Sequence, residues 1–375
     1  MADIFDYLSW RGDLEFSKSP LNPVDYLIFS QISYLPFEGI VPGPDEGGSI
    51  SIHLALSNLE EKLHNKNGKH KVKLLFHDEP FFIKTIMSSQ RFKNCKLLNF
   101  VNQIDTKREF QFSAVCIYTD KSCCIAFRGT DANFIGWKED FNMAFRDTIP
   151  SQTEAVKYIE KAAVKIDGRI ELCGHSKGGN LAMYSAAFCS GEIKKRITGV
   201  YSYDAPGFNG NVIKSGEFSS VKDRIHSYIP QGSVVGMLLE HGNEHTVVKS
   251  NETGLMQHSL FSWEVIHNDL SRAEKITVGS LFIGKTIREW VDSLDNVQRE
   301  KFIKAIYKIL NASEMNSIHE MEDSWVTAAG RIIKSLGNID EETRKLIFNV
   351  LAELLRSAGR NINKLIKTKM KTERN

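Results

Sequence analysis

Residues 174–179 read G-H-S-K-G-G, a G-x-S-x-G pattern. Residues 169–173 ahead of it alternate like a strand, and residues 178–189 behind it read as a helix. A serine raised on such a strand-to-helix turn is a nucleophile elbow. The turn is strained and crowded, so a side chain at Gly174 or Gly178 would collide with neighbouring backbone. It holds the Ser176 hydroxyl clear of the sheet and puts the N–H of Lys177, at the helix start, where an oxyanion would develop. The plainer reading is a glycine-rich turn with a helix-capping serine. A serine hydroxyl at its ordinary pKa is a weak nucleophile, so the catalytic reading also demands a histidine base and an acid that orients it, both later in the chain.

Asp204 is the candidate acid. It closes the apolar run 197–203 just before Pro206 and Gly207, a place where a carboxylate at a strand tip can lie beside the elbow. The competing reading is an Asp that closes its own turn, and Glu240 and Asp269 lack such a frame. Five histidines follow Asp204: His226, His241, His245, His258 and His267. His258 is favoured because it sits in a loop after the strand candidate 244–249, ahead of an aromatic segment able to pin it, and completes the order Ser, Asp, His. A second oxyanion donor should come from the turn after the strand that ends at Phe127, where Gly129 frees the backbone and Thr130 offers an N–H and a hydroxyl. The candidate site is therefore Ser176, Asp204 and His258, with Thr130 and Lys177 as oxyanion hole.

The elements that must position these residues can be read from pattern. The first 45 residues, broken by Pro20, Pro23, Pro36, Pro42 and Pro44, should wrap a core made elsewhere. Helices are expected at 51–64 and 79–92, strands at 96–104, 110–119 and 122–127, the last two as an antiparallel hairpin. A capping box at Ser151–Glu154 should open a helix to about residue 165. Further strands are expected at 169–173, 197–203, 224–229 and 244–249. Strands separated by helices imply parallel crossovers, so the fold class is α/β with a mixed, mostly parallel sheet flanked by helices. Residues 1–269 form this domain. Residues 270–375 should be a helical appendage, with candidate helices at 280–294, 297–311, 322–336 and 340–367.

The 375-residue chain is 42% hydrophobic and 25% charged, with 48 Lys and Arg against 46 Asp and Glu. That is the composition of a soluble globular protein with a large core. A near-neutral balance gives no reason to expect a nucleic-acid partner. No apolar run reaches the roughly 18 residues of a membrane span, no signal peptide is visible, and the six cysteines lack zinc-site spacing, so we expect a cytoplasmic protein with reduced, buried thiols. No metal or cofactor is required by the chemistry. Only the tail is basic: residues 351–375 hold seven Lys or Arg against two Glu. Such a helix end can lie on anionic lipid, and it equally reads as a solvated, frayed terminus.

These residues carry a resemblance. The I-A-F-R-G-T-D run at 125–131, with Trp137 and Asp140 beyond it, resembles the F-R-G-T…W…D segment of class 3, fungal-type lipases, and residues 174–179 resemble their G-H-S-x-G-G elbow. The stretch from Tyr7 to Tyr34 also resembles a family of lipase-like bacterial proteins of unassigned function. The resemblance implies an α/β-hydrolase fold, Ser176 as nucleophile and the Thr130 turn as oxyanion hole. Class 3 lipases carry their acid later, in a D-x-V-P segment, and this chain has Ser233 there. Asp204 is similar to the acid placement of pancreatic-type lipases, one strand earlier. The expected function is a serine hydrolase acting on a carboxylic ester or lipid through an acyl-enzyme. Thioesterase or phospholipase activity would use the same parts, and a scaffold retaining the fold is the non-enzymatic alternative.

Overall fold

The computed structural model describes residues 1–64, 74–120, 122–131, 134–143 and 146–293, together with positions 341 and 345. An eight-stranded sheet organises it, with strands adjacent in chain order. The strands are β1 (Ile50–Ser51), β2 (Lys96–Asp105), β3 (Phe110–Tyr118), β4 (Cys123–Phe127), β5 (Ile170–His175), β6 (Ile197–Tyr203), β7 (Ile225–Pro230) and β8 (His245–Val248). The first four pair antiparallel, and β4 through β8 pair parallel. The expected hairpin forms, pairing Tyr118 with Cys123 and Ala114 with Phe127.

Two apolar layers cover the sheet. On one face lie α1 (Ile4–Arg11), α2 (Pro23–Ile32), α3 (Ile52–His64) and α4 (Glu79–Ser88), whose Tyr7, Phe29, Leu56 and Phe82 join Ile117, Cys124 and Tyr203 of the sheet. The leading segment therefore does more than wrap. It supplies one whole layer of the core, and a fully buried ion pair between Arg91 and Asp25 ties it down, the guanidinium also donating to the carbonyls of Leu14, Ser19 and Pro20. On the other face α6 (Pro150–Ala163) and α7 (Lys177–Phe188) pack on Phe112, Ile125 and Leu172. α5 (Phe134–Met143) lies between β4 and α6 in the chain. This mixed sheet, layered by helices on both faces and carrying its strained serine between β5 and α7, is an α/β-hydrolase fold.

Details differ from the pattern reading. α6 starts one residue before the expected capping box, because Pro150 at its first position has no N–H to satisfy and presets φ. The Ile149 N–H donates to Gln152 Oε1 at 3.0 Å, and the Ser151 N–H goes to Glu139 Oε1 at 2.9 Å. Around the expected boundary at residue 269 the chain forms a feature that pattern did not give. Val265–Ile266 and Asp269–Leu270 form a short hairpin, and the Val265 N–H donates to the carbonyl of Ala2. α8 (Val278–Ser293) then begins against the loop after β7, where the Thr277 N–H reaches Gln231 O at 2.7 Å. The expected helices at 297–311 and 322–336, most of that at 340–367, and the basic tail lie outside the described residues. Among the described residues no helix is long and apolar enough to cross a membrane. All six cysteines are buried and unbridged.

Candidate active site

Strand β5 delivers the elbow. Ser176 has φ 57° and ψ −132°, a conformation that costs a non-glycine residue about 1–3 kcal/mol and persists only where its surroundings force it. Those surroundings are visible. The Ser176 N–H donates to Tyr203 O of β6 at 2.9 Å, extending the ladder through the turn, while the Ser176 carbonyl accepts the Gly179 N–H at 3.0 Å. A Cβ on Gly174 would stand 2.2 Å from the Gly178 carbonyl carbon, and one on Gly178 would stand 2.1 Å from Phe127 O. The serine hydroxyl is not spent on capping α7. Lys177 opens that helix, leaving its N–H among those with no intrahelical partner.

The other half of the site comes from the loops after β6, β7 and β8. Asp204 sits at the tip of β6 with φ 44°, its N–H bonded to Tyr228 O of β7 at 2.8 Å. Its Oδ2 lies 2.6 Å from His258 Nδ1. The carboxylate side chain is 1% exposed and the imidazole 29%, so the pair is shielded at the acid end and open at the histidine end. Oδ1 accepts the Ser233 hydroxyl and, at 3.1 Å, the Gly236 N–H. An ionised carboxylate accepts several such bonds, and these hold it with one oxygen toward the ring. The position where the resemblance puts a different acid thus carries the hydroxyl that steadies Asp204.

His258 ends a short 3₁₀ turn, Gly254–His258. The fully buried Trp263 pins that turn by donating to Gln257 O at 2.9 Å, and Gln257 Oε1 accepts the Gly232 N–H at 2.8 Å. Asn180, in the first turns of α7, joins the two halves. It donates to Gly207 O at 2.7 Å and Pro206 O at 3.1 Å, just beyond Asp204, and accepts from Gln152.

The structure thus brings Asp204 and His258 into contact, next to the elbow. Among the described residues no hydrogen bond joins Ser176 Oγ to His258. Of the other histidines, His226 and His245 lie in β7 and β8, and burial lowers both below their ordinary pKa. His267 bonds through its carbonyl to Trp10. Thr130 follows β4 with its Oγ1 buried.

Pattern alone does not show several contacts of the site. The Lys177 side chain is buried, donating to Glu139 Oε2 at 3.0 Å and Gln111 O at 3.2 Å, with Asp140 Oδ1 at 3.7 Å. Glu139 also accepts the N–H groups of Gln111 and Ser151. Burial raises the pKa of the Asp140 carboxyl, against the lowering pull of Lys177. Ser233 and Gly236 support the acid. Among the described residues no cluster of ligating side chains could hold a metal.

Fold and elbow together define an α/β-hydrolase-type protein, and sequence comparison then assigns the family. The chain belongs to the Mbeg1-like family, whose model matches residues 86–308. No curated protein matches it. Solved structures similar to it include two of the Rhizomucor miehei lipase propeptide complex. The native one is 14% identical over 42% of this chain and 58% of that one, with a TM-score of 0.32. A deletion mutant is 14% identical over 46% and 59%, with a TM-score of 0.33. The crystal structure of M37 lipase is 16% identical over 56% and 67%, with a TM-score of 0.32. The chain thus spans under two thirds of the fungal lipase's length.

Proposed function

We propose that this chain is a serine hydrolase of carboxylic esters, a lipase or esterase of the class 3 type. The observation that carries the reading is the Asp204–His258 contact of 2.6 Å beside a serine held at positive φ on a strand-to-helix elbow. His258 Nδ1 faces the carboxylate, so Nε2 is the nitrogen left to take the Ser176 proton. Ser176 Oγ then attacks the ester carbonyl, and its π electrons move to oxygen as the tetrahedral oxyanion forms. The N–H groups of Lys177 and Thr130, with the Thr130 hydroxyl, would bind that oxyanion. Collapse expels the alcohol, which takes the proton back from His258, and leaves Ser176 acylated. Water, deprotonated by His258, then attacks the acyl carbonyl, the second tetrahedral intermediate expels Ser176 Oγ, which takes the proton back from His258, and the acid is released. Asp204 holds the ring through Nδ1 and stabilises the imidazolium.

The test is hydrolysis of p-nitrophenyl esters from acetate to palmitate by the wild type and Ser176→Ala, with fluorophosphonate labelling alongside. Turnover falling by about 10⁶-fold together with loss of the label is the expected result. Folded wild type that neither labels nor turns over any ester, with or without lipid vesicles, sinks the reading in favour of a scaffold. The chain-length profile separates esterase from lipase.

A further inference from the structure

Next to Ser176 the elbow carries a second imidazole, and it faces His258. His175 is buried, its ring centroid 4.4 Å from that of His258, the planes inclined by 39°. Its Nε2 lies 2.8 Å from the main-chain carbonyl oxygen of His258 and its Nδ1 lies 2.9 Å from the hydroxyl of Tyr34. A carbonyl can only accept, so Nε2 carries the proton. Burial, and secondarily the neighbouring His258, hold the His175 pKa well below its ordinary value, so the ring is neutral. Nδ1 then has only a lone pair to offer, and the Tyr34 O–H donates to it. Burial also keeps Tyr34 protonated by raising its pKa.

Tyr34 belongs to the leading segment, just past α2, and lies outside the stretch matched by the family model. The crowding around it is tight. A Cβ on Gly129 would stand 2.2 Å from the Tyr34 hydroxyl oxygen, 2.7 Å from His175 O and 3.2 Å from Ser176 Cβ. One buried hydroxyl therefore touches the turn before Thr130, the residue before the nucleophile and, through one imidazole, the backbone of His258. Phe76 packs edge-on against the Tyr34 ring at 5.4 Å, and Phe261 lies 6.1 Å beyond Phe76.

We propose that Tyr34 and His175 are positioning residues that fix the backbone of His258 over the elbow, making the leading segment a working part of the site. The proposal rests on the hydrolase reading for its kinetic consequence and stands on geometry for its structural one. Asp204 fixes the rotation of the His258 ring, whereas His175 fixes the carbonyl of the same residue and so the position of the whole ring relative to Ser176. The His258 carbonyl sets the His175 tautomer, and the Tyr34 O–H satisfies the lone pair this leaves on Nδ1 and so holds the ring in place. Without that O–H the buried Nδ1 has no donor, and the ring is free to shift.

The test uses three variants of the full chain, each checked for native circular dichroism and cooperative melting. In His175→Gln the amide nitrogen stands near Nε2 and still reaches the His258 carbonyl. In His175→Asn the shorter amide keeps the Tyr34 contact and loses that reach. Tyr34→Phe leaves the Nδ1 lone pair without its donor. With p-nitrophenyl butyrate, we expect kcat to fall by about 10–100-fold in His175→Asn and about 3–10-fold in Tyr34→Phe, with KM little changed, while His175→Gln stays within about 3-fold of wild type. A readout independent of activity is the low-field proton resonance of the Asp204–His258 bond, identified by its loss in Asp204→Asn. It should shift or broaden in His175→Asn and persist in His175→Gln. Wild-type kcat and an unmoved resonance in folded His175→Asn overturn the proposal, as does equal damage from Asn and Gln, the mark of a merely space-filling ring. Wild type without turnover defeats the hydrolase reading, and the resonance still decides the positioning role.

Discussion

The elbow and the acid–base arm converge on one place by opposite means. Gly174 to Asn180 are consecutive, and their backbone is set chiefly by steric crowding: no Cβ is admitted at Gly174, against Gly178, or at Gly178, against Phe127 O, where a strand ends and a helix starts. Asp204, Ser233, Gly236 and His258 come from three separate loops, and hydrogen bonds to the Asp204 carboxylate from two side chains and one backbone N–H hold them in place. The elbow is thus stabilised sterically and pre-strained, whereas the arm is stabilised electrostatically and can be loosened one bond at a time. Substitutions in the elbow should act all-or-none, and those in the arm should act in steps.

The largest step is at Asp204 itself. Asp204→Asn preserves the shape but turns an acceptor pair into one acceptor and one donor, which favours the wrong His258 tautomer and leaves the developing imidazolium without its counter-charge. We expect kcat to fall by about 10⁴-fold with melting little changed. Retained activity would break the comparison at its strongest point and return the choice of acid to Glu240 or Asp269.

Lys177 sharpens the comparison from the elbow side. Its charged end is 1% exposed and its partner Glu139 is fully buried. Breaking a buried pair by removing one partner costs about 3–5 kcal/mol, because the remaining charge is stranded. Lys177→Met should therefore lower the apparent Tm by on the order of 10 °C, and adding Glu139→Gln should recover part of that loss. The Lys177 N–H survives the change, so any protein still folded should keep much of its activity. Full stability in Lys177→Met would show that the pair contributes little.

Ser233→Ala is the smaller step in the arm. It removes one charge-assisted hydrogen bond from Asp204 Oδ1 and leaves the Gly236 N–H in place. Such a bond is worth about 1.5–3 kcal/mol, so we expect roughly a 10–100-fold loss in kcat/KM if it is fully felt in the transition state. An unchanged rate would mean that Gly236 alone holds the carboxylate.

The same contrast explains what pattern reading could reach. The elbow is written in adjacent letters, and a strand followed by G-x-S-x-G and a helix admits few other structures. Asp204 was legible because Pro206 and Gly207 stop its strand, and His258 because it follows the last strand in a loop with Trp263 close behind. Ser233 stood out as a departure from the fungal pattern, yet nothing in its own neighbourhood tells that its hydroxyl reaches back to Asp204. Tyr34 and His175 meet across 141 positions, and Glu139 meets Lys177 across 38, distances over which one chain alone carries no pairing signal. The leading segment's part in the core is hidden from pattern for the same reason. Its prolines mark turns, whereas its role as a core layer depends on apolar faces that become visible only against the sheet.

His175 lies on the seam between the two regions, and its titration gives the finest test. In the unfolded chain it gains a proton below about pH 6.5, while burial keeps it neutral in the fold. The unfolded state therefore binds more protons as pH falls, and this residue's contribution to stability, complete above pH 6.5, is lost below it. The slope for one such group is at most about 1.4 kcal/mol per pH unit. His226 and His245 act in the same direction, whereas Glu79, whose carboxyl burial pushes up to about 7, acts in the opposite one by favouring the fold as it protonates. Denaturant melts of wild type and His175→Gln between pH 8 and pH 5 cancel those shared contributions and leave the single ring. The stability difference should shift in favour of the variant below pH 6.5 and stay constant above it. Parallel curves would mean that His175 accepts its proton within the fold, with Nδ1 and Nε2 both donors, and Tyr34 would then have to turn its oxygen toward the ring as an acceptor.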